Sequence, residues 1–358
     1  MNVLTAEALS TLCQWFAENN RDLPWRASSD QPDAYPVWIS EIMLQQTRVE
    51  AVIPYFQRFI KEFPDVFALA NAEEEKLLKC WEGLGYYSRA KNLKKAAAEI
   101  VGRYNGKFPA DGKALSALPG IGPYTAGAIG SIVFGLPTPA VDGNVLRVVA
   151  RVLGDERDVL SREMKDSVTE QLASLYPKGQ NAGLLTQGFM ELGQTLCLAK
   201  GKPLCAKCPF HGHCQTESDG RFVFIPFRSP NTERNIVRIS VFLLHANGKF
   251  CIRKRPDDGL LSGLWEFPNR EEKGVFVPPS DVYGAKILGI IPLFPSRHLF
   301  THIEWEMDGY LAECIPPEKD TGTVRFVTPE ELEETYPIAS AFRAFKEFIA
   351  QNKPADFT

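Results

Sequence analysis

Apolar positions recur every three or four residues through most of the first 214 positions. Leu9, Leu12, Cys13 and Phe16 fall at i, i+3, i+4 and i+7, which predicts an amphipathic helix close to the N-terminus. Gly- and Pro-containing turns at 106–109 and 135–139 punctuate the helical stretches that follow. Beyond residue 235 the period shortens. Val237, Ile239, Val241 and Leu243 alternate with Arg238, Ser240, Phe242 and Leu244, and Asn247-Gly248 separates this run from Lys249-Phe250-Cys251-Ile252. That arrangement predicts a β-hairpin with a two-residue turn. Thr328-Pro329-Glu330-Glu331 reads as a capping box with proline at the first helical position, and Phe342, Phe345 and Phe348 as one face of a closing helix. The polar, proline-bearing stretch between the two regimes reads as a linker. The expected organisation is a mostly α N-terminal domain over 1–216, a linker over 217–235 and an α+β domain over 236–358.

Composition fits two globular domains: 358 residues, 44% apolar and 23% charged. The net charge of −4 gives no global sign of a nucleic-acid partner, yet charge is unevenly placed. Between residues 89 and 113 the cations Arg89, Lys91, Lys94, Lys95, Arg103, Lys107 and Lys113 face only Glu99 and Asp111, a modest sign of a basic surface. The N-terminus has no signal-peptide pattern, and no stretch is apolar for the length of a membrane span. A soluble, cytoplasmic monomer without membrane attachment is expected, and in that compartment disulfides are a poor use for eight cysteines.

Two features carry chemistry. Gly120 and Gly122 lie one residue apart in Leu118-Pro119-Gly120-Ile121-Gly122-Pro123-Tyr124, at the mouth of an apolar helix. Backbone N–H groups left uncovered there can approach a phosphate. Twenty residues on, Asp142 stands in Val141-Asp142-Gly143-Asn144 and supplies a carboxylate. Either element alone is ordinary turn chemistry; together they suggest an enzyme acting on a polynucleotide. Four cysteines, Cys197, Cys205, Cys208 and Cys214, are then gathered in one short cationic loop. Four thiolates in a reducing compartment imply a metal centre. Zinc is one reading; the unequal spacing, with a single Cys-x2-Cys pair, favours an iron–sulfur cluster.

These residues resemble the endonuclease III superfamily of helix-hairpin-helix DNA glycosylases, and the full pattern is similar to the MutY family of adenine DNA glycosylases. Leu23-Pro24-Trp25-Arg26, the stretch from Trp38 through Glu41 to Gln45-Gln46-Thr47, and Gly83-Leu84-Gly85-Tyr86-Tyr87-Ser88-Arg89 carry the likeness. It runs from about Arg21 to Cys214 and more loosely through the second domain. The resemblance implies a 4Fe-4S cluster on Cys197, Cys205, Cys208 and Cys214, although seven residues separate the first two cysteines where the family usually has six. It implies a base-excision-repair hydrolase, on the nucleoid when engaged, whose partner is double-stranded DNA with adenine opposite 8-oxoguanine or guanine.

By the same resemblance Glu41 protonates adenine at N7, and Asp142 stabilises the sugar at C1′. Asn144 orients water or the carboxylates, and Tyr124 hydrogen-bonds near the reacting centre. The apolar neighbours of Glu41 independently predict burial and a raised carboxyl pKa. Bifunctional relatives carry lysine where Tyr124 stands; a phenol cannot form the Schiff base, so a monofunctional glycosylase is expected. Trp25, Arg26 and Gln187 are implied for the adenine pocket. Gln46 and Tyr86 are implied as wedges at the flipped base, Leu84 and Thr47 beside the opposite base, and Ser88, Gly120 and Gly122 in the DNA-binding turns. In the second domain Gly263-Leu264-Trp265-Glu266-Phe267-Pro268 resembles the lead-in of a Nudix hydrolase, but the acidic magnesium-binding box is absent. A Nudix-like domain without hydrolase activity is expected, with Phe300, Thr301 and His302 reading 8-oxoguanine.

Overall fold

The starts of the helices are marked by short polar side chains that accept from the first free N–H groups, each cap contributing about 1 kcal/mol. In the computed structural model, which describes residues 3–26, 32–230, 233–318 and 322–352, Thr5 caps on Ala8, Asp33 on Tyr35, Asp65 on Ala68, Asp111 on Ala114 and Ser161 on Met164. The helices are α1 (Ala6–Asn19), α2 (Ala34–Leu44), α3 (Val49–Glu62), α4 (Val66–Ala70), α5 (Glu74–Cys80), α6 (Ser88–Tyr104), α7 (Gly112–Ser116), α8 (Pro123–Phe134), α9 (Gly143–Leu153), α10 (Arg162–Leu175), α11 (Gln180–Thr195) and α12 (Gln215–Asp219). Among the described residues, no helix is long and apolar enough to cross a membrane.

Chain contacts divide the molecule into two compact units. One comprises Met1–Asn71 with Asn92–Pro230, the other Ala72–Lys91 with Asn231–Thr358. In the first, α8 is buried at every position from Thr125 to Ser131. Glycines let its neighbours approach: a Cβ on Gly127 would meet the Pro139 carbonyl at 2.5 Å, and one on Gly183 of α11 would meet the Ile132 Cα at 3.1 Å. Leu9, Leu12, Val145, Val149, Leu185, Phe189 and Leu192 join α1, α9 and α11 in one core.

The second unit is built on an eight-stranded mixed sheet of described residues: β1 (Asn235–Ala246), β2 (Lys249–Lys254), β3 (Trp265–Glu266), β4 (Asn269–Glu271), β5 (Asp281–Val282), β6 (Ala285–Leu299), β7 (Ile303–Ile315) and β8 (Val324–Val327). The strand order is β3-β2-β1-β7-β6-β5, with β1 and β7 parallel. The predicted hairpin joins β1 to β2, with Ala246 paired to Lys249 and both Asn247 and Gly248 at positive φ. The predicted capping box opens α13 (Pro329–Glu334), and α14 (Arg343–Gln351) carries the buried Phe345. Phe342 packs against Phe267 and Trp305, while Phe345 and Phe348 contact Phe294 of β6.

The segment 72–91, placed by its sequence with the helical domain, makes its ion pairs in this second unit. Glu82 takes Lys79, Lys346 and the Ile338 N–H, Lys79 also donates to the Tyr336 carbonyl, and Lys254 pairs with Glu75 at 2.9 Å. The close approach at α8 is testable: Gly127→Ala should destabilise the protein by about 1–3 kcal/mol, seen as a lower thermal midpoint, because the opposing group is backbone and cannot rotate away.

Candidate active site and cysteine loop

Helix α2 is apolar on nearly every side, and eight of its residues, Glu41 among them, are buried. Glu41 is 6% exposed and lines a cavity of about 820 Å³ together with Trp25, Arg26, Leu44, Gln187 and Met190. That space is ample for a purine base. Burial pushes the Glu41 carboxyl up to about 7; the Tyr124 hydroxyl hydrogen-bonds to it and opposes the shift, the Asp142 charge reinforces it, and Arg26 opposes it. The bias toward the protonated form is roughly 3 kcal/mol. Burial first, and then the Glu41 and Asp142 charges, hold the Tyr124 phenol well above its ordinary value, so it keeps its proton.

Asp142 is the N-cap of α9. Its Oδ1 accepts from the N–H groups of Asn144 (2.9 Å) and Val145 (2.8 Å), and its Oδ2 accepts from Asn144 Nδ2 (2.8 Å). The line continues outward. Arg147 donates through Nη2 to Asn144 Oδ1 (2.9 Å) and the Gly193 carbonyl (2.7 Å), and through Nε to the Cys197 carbonyl (3.0 Å). One turn further, Arg151 donates to Cys197 Sγ (3.4 Å), the Leu198 carbonyl (2.8 Å) and the Ile225 carbonyl (2.8 Å). Helix α9 therefore carries the catalytic candidate at its start and grips the cysteine loop along its side.

All three residues implied for the base pocket line this cavity. Trp25 packs edge-on against Phe56, Arg26 donates to Glu191 at 2.8 Å, and Gln187 donates weakly to the Gly183 carbonyl at 3.4 Å. Sequence reasoning missed Glu191. It is 1% exposed and held by Arg21 (2.5 Å) as well as Arg26. Burial alone would raise its carboxyl; the two guanidinium groups override that and hold it below the ordinary carboxylate range. Its spacing four residues after Gln187 on α11 was the available signal.

The turn residues fall in two places. Gly120 needs its positive φ of 74°, and a Cβ there would meet Asn92 Cβ at 2.7 Å; Gly122 caps α8 with open space around it. Gln46 is exposed at φ 60° just past α2, and Thr47 bonds back to the Leu44 carbonyl. In the second unit Tyr86 is 48% exposed at φ 49°, and Ser88 is exposed at the start of α6. Leu84 and Tyr87 are buried instead, Leu84 at 7% exposure, so Leu84 is not presented to solvent as Tyr86 is. Phe300, Thr301 and His302 form the turn between β6 and β7; the Phe300 ring lies between His298 and Trp305, while Thr301 and His302 are exposed. The basic run 89–113 divides: Arg89 is buried, Lys91 pairs with Glu74 and Arg103 with Glu99, while Lys95, Lys107 and Lys113 are exposed.

Cys197, Cys205, Cys208 and Cys214 line one small cavity with Val148, Val152, Leu196 and Phe210, and all four are free thiols. No three His, Cys, Asp or Glu side chains among the described residues stand as a single-ion site. Burial pushes the Cys208 thiol up to about 12, with the other three cysteines adding to the rise. A cavity lined by four thiols is chemically matched to a cationic centre that would take them as thiolates.

Residues 39–178 match the family described as the HhH-GPD superfamily base excision DNA repair protein, and residues 240–347 match the NUDIX domain. The adenine DNA glycosylase of Buchnera aphidicola (subsp. Acyrthosiphon pisum, strain APS) is 34% identical over 348 residues, covering 94% of this chain and 96% of its own. That of Mus musculus is 34% identical over 390 residues, 90% of this chain and 74% of its own. The Arabidopsis thaliana protein of the same name is 36% identical over 299 residues, 72% of this chain but only 46% of its own length. A solved thermostable thymine-DNA glycosylase superposes with a TM-score of 0.51 at 27% identity, covering 59% of this chain and 95% of its own. Two helical and mixed-sheet parts in this order, matched along nearly the full length of a bacterial relative, place the chain in the adenine DNA glycosylase family of base-excision-repair enzymes.

Proposed function

We propose that this chain removes adenine mispaired with 8-oxoguanine, and less efficiently with guanine, from double-stranded DNA, leaving an abasic site without cutting the strand. The observation that carries this reading is the pair of carboxyl groups near Tyr124. Glu41 is buried on a cavity with room for a purine and poised near neutrality, while Asp142 accepts three hydrogen bonds at the start of α9. Two carboxyl groups in opposite protonation states are what cleavage of a glycosidic bond requires.

In the proposed reaction the adenine leaves the stack and enters the cavity between Trp25, Arg26 and Gln187. Glu41 gives its proton to N7 as the C1′–N9 bond breaks, and the bonding pair departs with the base. The cationic sugar is stabilised by Asp142, with Asn144 holding that carboxylate's second oxygen. Water then adds at C1′, and its proton passes to Glu41. Tyr124 donates to Glu41 and has no amine with which to capture the sugar. Gln46 and Tyr86, each exposed on left-handed backbone, are the candidate wedges for the space the base vacates, and Thr47 the candidate beside the opposite base; Leu84 is buried, so its side chain is not carried into that role. Phe300, Thr301 and His302 read 8-oxoguanine from the 236–358 domain. Ser88, Gly120 and Gly122 lie in turns that approach the backbone. The four cysteines would hold a 4Fe-4S cluster, which supplies cross-linking of the 197–214 loop rather than a reaction step. Four thiols set around a shared cavity suit a body with several corners better than one zinc ion, which must draw all of them to about 2.3 Å.

Single-turnover excision on a duplex with one adenine opposite 8-oxoguanine should give strand breaks only after alkali. Breaks without alkali, or no product from tightly bound protein, would sink the assignment. Replacing Thr301 and His302 together by Ala should narrow the rate difference between 8-oxoguanine and guanine as opposite bases. Because the acid form of Glu41 is the active one, the rate should hold below pH 7 and fall through about 7 as pH rises, approaching about tenfold per unit. Glu41→Gln should abolish excision while leaving DNA binding, and a pH-independent wild-type rate would remove Glu41 as the acid. Protein purified without oxygen should contain iron and absorb visible light; zinc alone would overturn the cluster.

A further inference from the structure

The loop 83–87 is held by a buried cation. Arg89 is 9% exposed, and its Nη2 donates to two consecutive carbonyls, Leu84 O and Gly85 O, each at 3.2 Å. Its guanidinium lies 5.3 Å from the Trp81 ring centre and 5.5 Å from that of Tyr86. Its own N–H donates to the Tyr86 carbonyl at 2.9 Å, and Trp81 Nε1 adds a bond to the Gly85 carbonyl at 3.0 Å. Burial pushes the guanidinium down to about 10. A cation desolvated this far is not arranged to meet phosphate, although it opens the basic run of the sequence.

The side chain it underlies is the unusual one. Tyr86 sits at φ 49°, between Gly85 at φ 70° and the buried Tyr87, and projects to 48% exposure. An aromatic residue in the left-handed region is strained and persists only where its surroundings over-determine it. The flat guanidinium bonds both carbonyls through one nitrogen while its plane lies near two aromatic rings; an ammonium can bond the carbonyls but lacks the plane that meets the rings.

We infer that Arg89 is a positioning residue that fixes the left-handed loop 83–87 so that Tyr86 stands ready to replace the flipped base. This rests on the wedge role proposed above for Tyr86. Arg89 acts through the loop and touches no reacting atom.

The test uses the full chain, a duplex carrying adenine opposite 8-oxoguanine, and 2-aminopurine beside the adenine as a reporter of unstacking. Arg89→Lys, which keeps the charge, should lower both the reporter signal and the single-turnover rate by roughly tenfold to a hundredfold. Arg89→Gln, which removes the charge, should leave the dependence of log affinity on log salt unchanged. Combined with Tyr86→Ala, Arg89→Lys should add little to the loss caused by Tyr86→Ala alone, since both remove one function. Gly85→Ala loads strain into the same loop where its Cβ meets nothing within 4 Å, so it tests the idea without disturbing the core; it should lower the same signal. A salt slope shallower by about 0.9 in Arg89→Gln would make Arg89 a phosphate contact and overturn the inference. Full unstacking in both Arg89→Lys and Gly85→Ala, or losses that multiply in the double variant, would overturn it too. If Tyr86→Ala itself costs nothing, the wedge reading falls and takes this one with it; a defective Tyr86→Ala beside a fully active Arg89→Lys removes Arg89 alone.

Discussion

Everything in the candidate site depends on one constraint: two carboxyl groups, Glu41 and Asp142, stand near a shared phenol and act on one another. The fold meets it by giving them different solvents. Glu41 projects from a helix whose neighbours are Val37, Trp38, Ile42 and Met43, so hydration is withdrawn from its anion. Asp142 has its water replaced by fixed donors at the start of α9. The difference between their surroundings is therefore built from backbone placement.

Helix α9 serves two tasks with one set of side chains. Asp142 begins it, Arg147 ties Asn144 to the cysteine loop, and Arg151 donates to the Cys197 sulfur and to the Leu198, Phe222 and Ile225 carbonyls. Gly193 allows the arrangement, because a Cβ there would meet Asn144 Cβ at 2.8 Å. The close crossing of α9 and α11 is thus part of how Asp142 is held. Glu191 holds both Arg21 and Arg26, so one carboxylate offsets one of the two positive charges at the cavity.

Local grammar was legible in the sequence; long-range pairing was not. The N-terminal helix, the Asn247-Gly248 hairpin and the Thr328 capping box all follow from short-range rules, and all are present. Burial of Glu41 followed from its apolar neighbours. Glu191 did not announce itself, since one acidic residue on an apolar helix becomes meaningful only when Arg21 and Arg26 are brought to it from about 165 residues away. Arg89 looked like one cation in a basic run because burial is decided by Trp81 and Tyr86 rather than by charge spacing. Strand β6 was equally hidden: Pro292 and Pro295 argue against a long strand, and the sheet accommodates them with a register shift between them.

The chain crosses between its two units more than once. It leaves the first after Asn71, returns at Asn92 and departs again after Pro230. Severing it at the last crossing would not yield two finished bodies. The first fragment would retain residues 72–91 without Lys346, the Ile338 N–H and the Tyr336 carbonyl, leaving the half-buried Glu82 and Lys79 short of partners. The two units are distinct in architecture, yet neither is a complete translation of a continuous stretch of message.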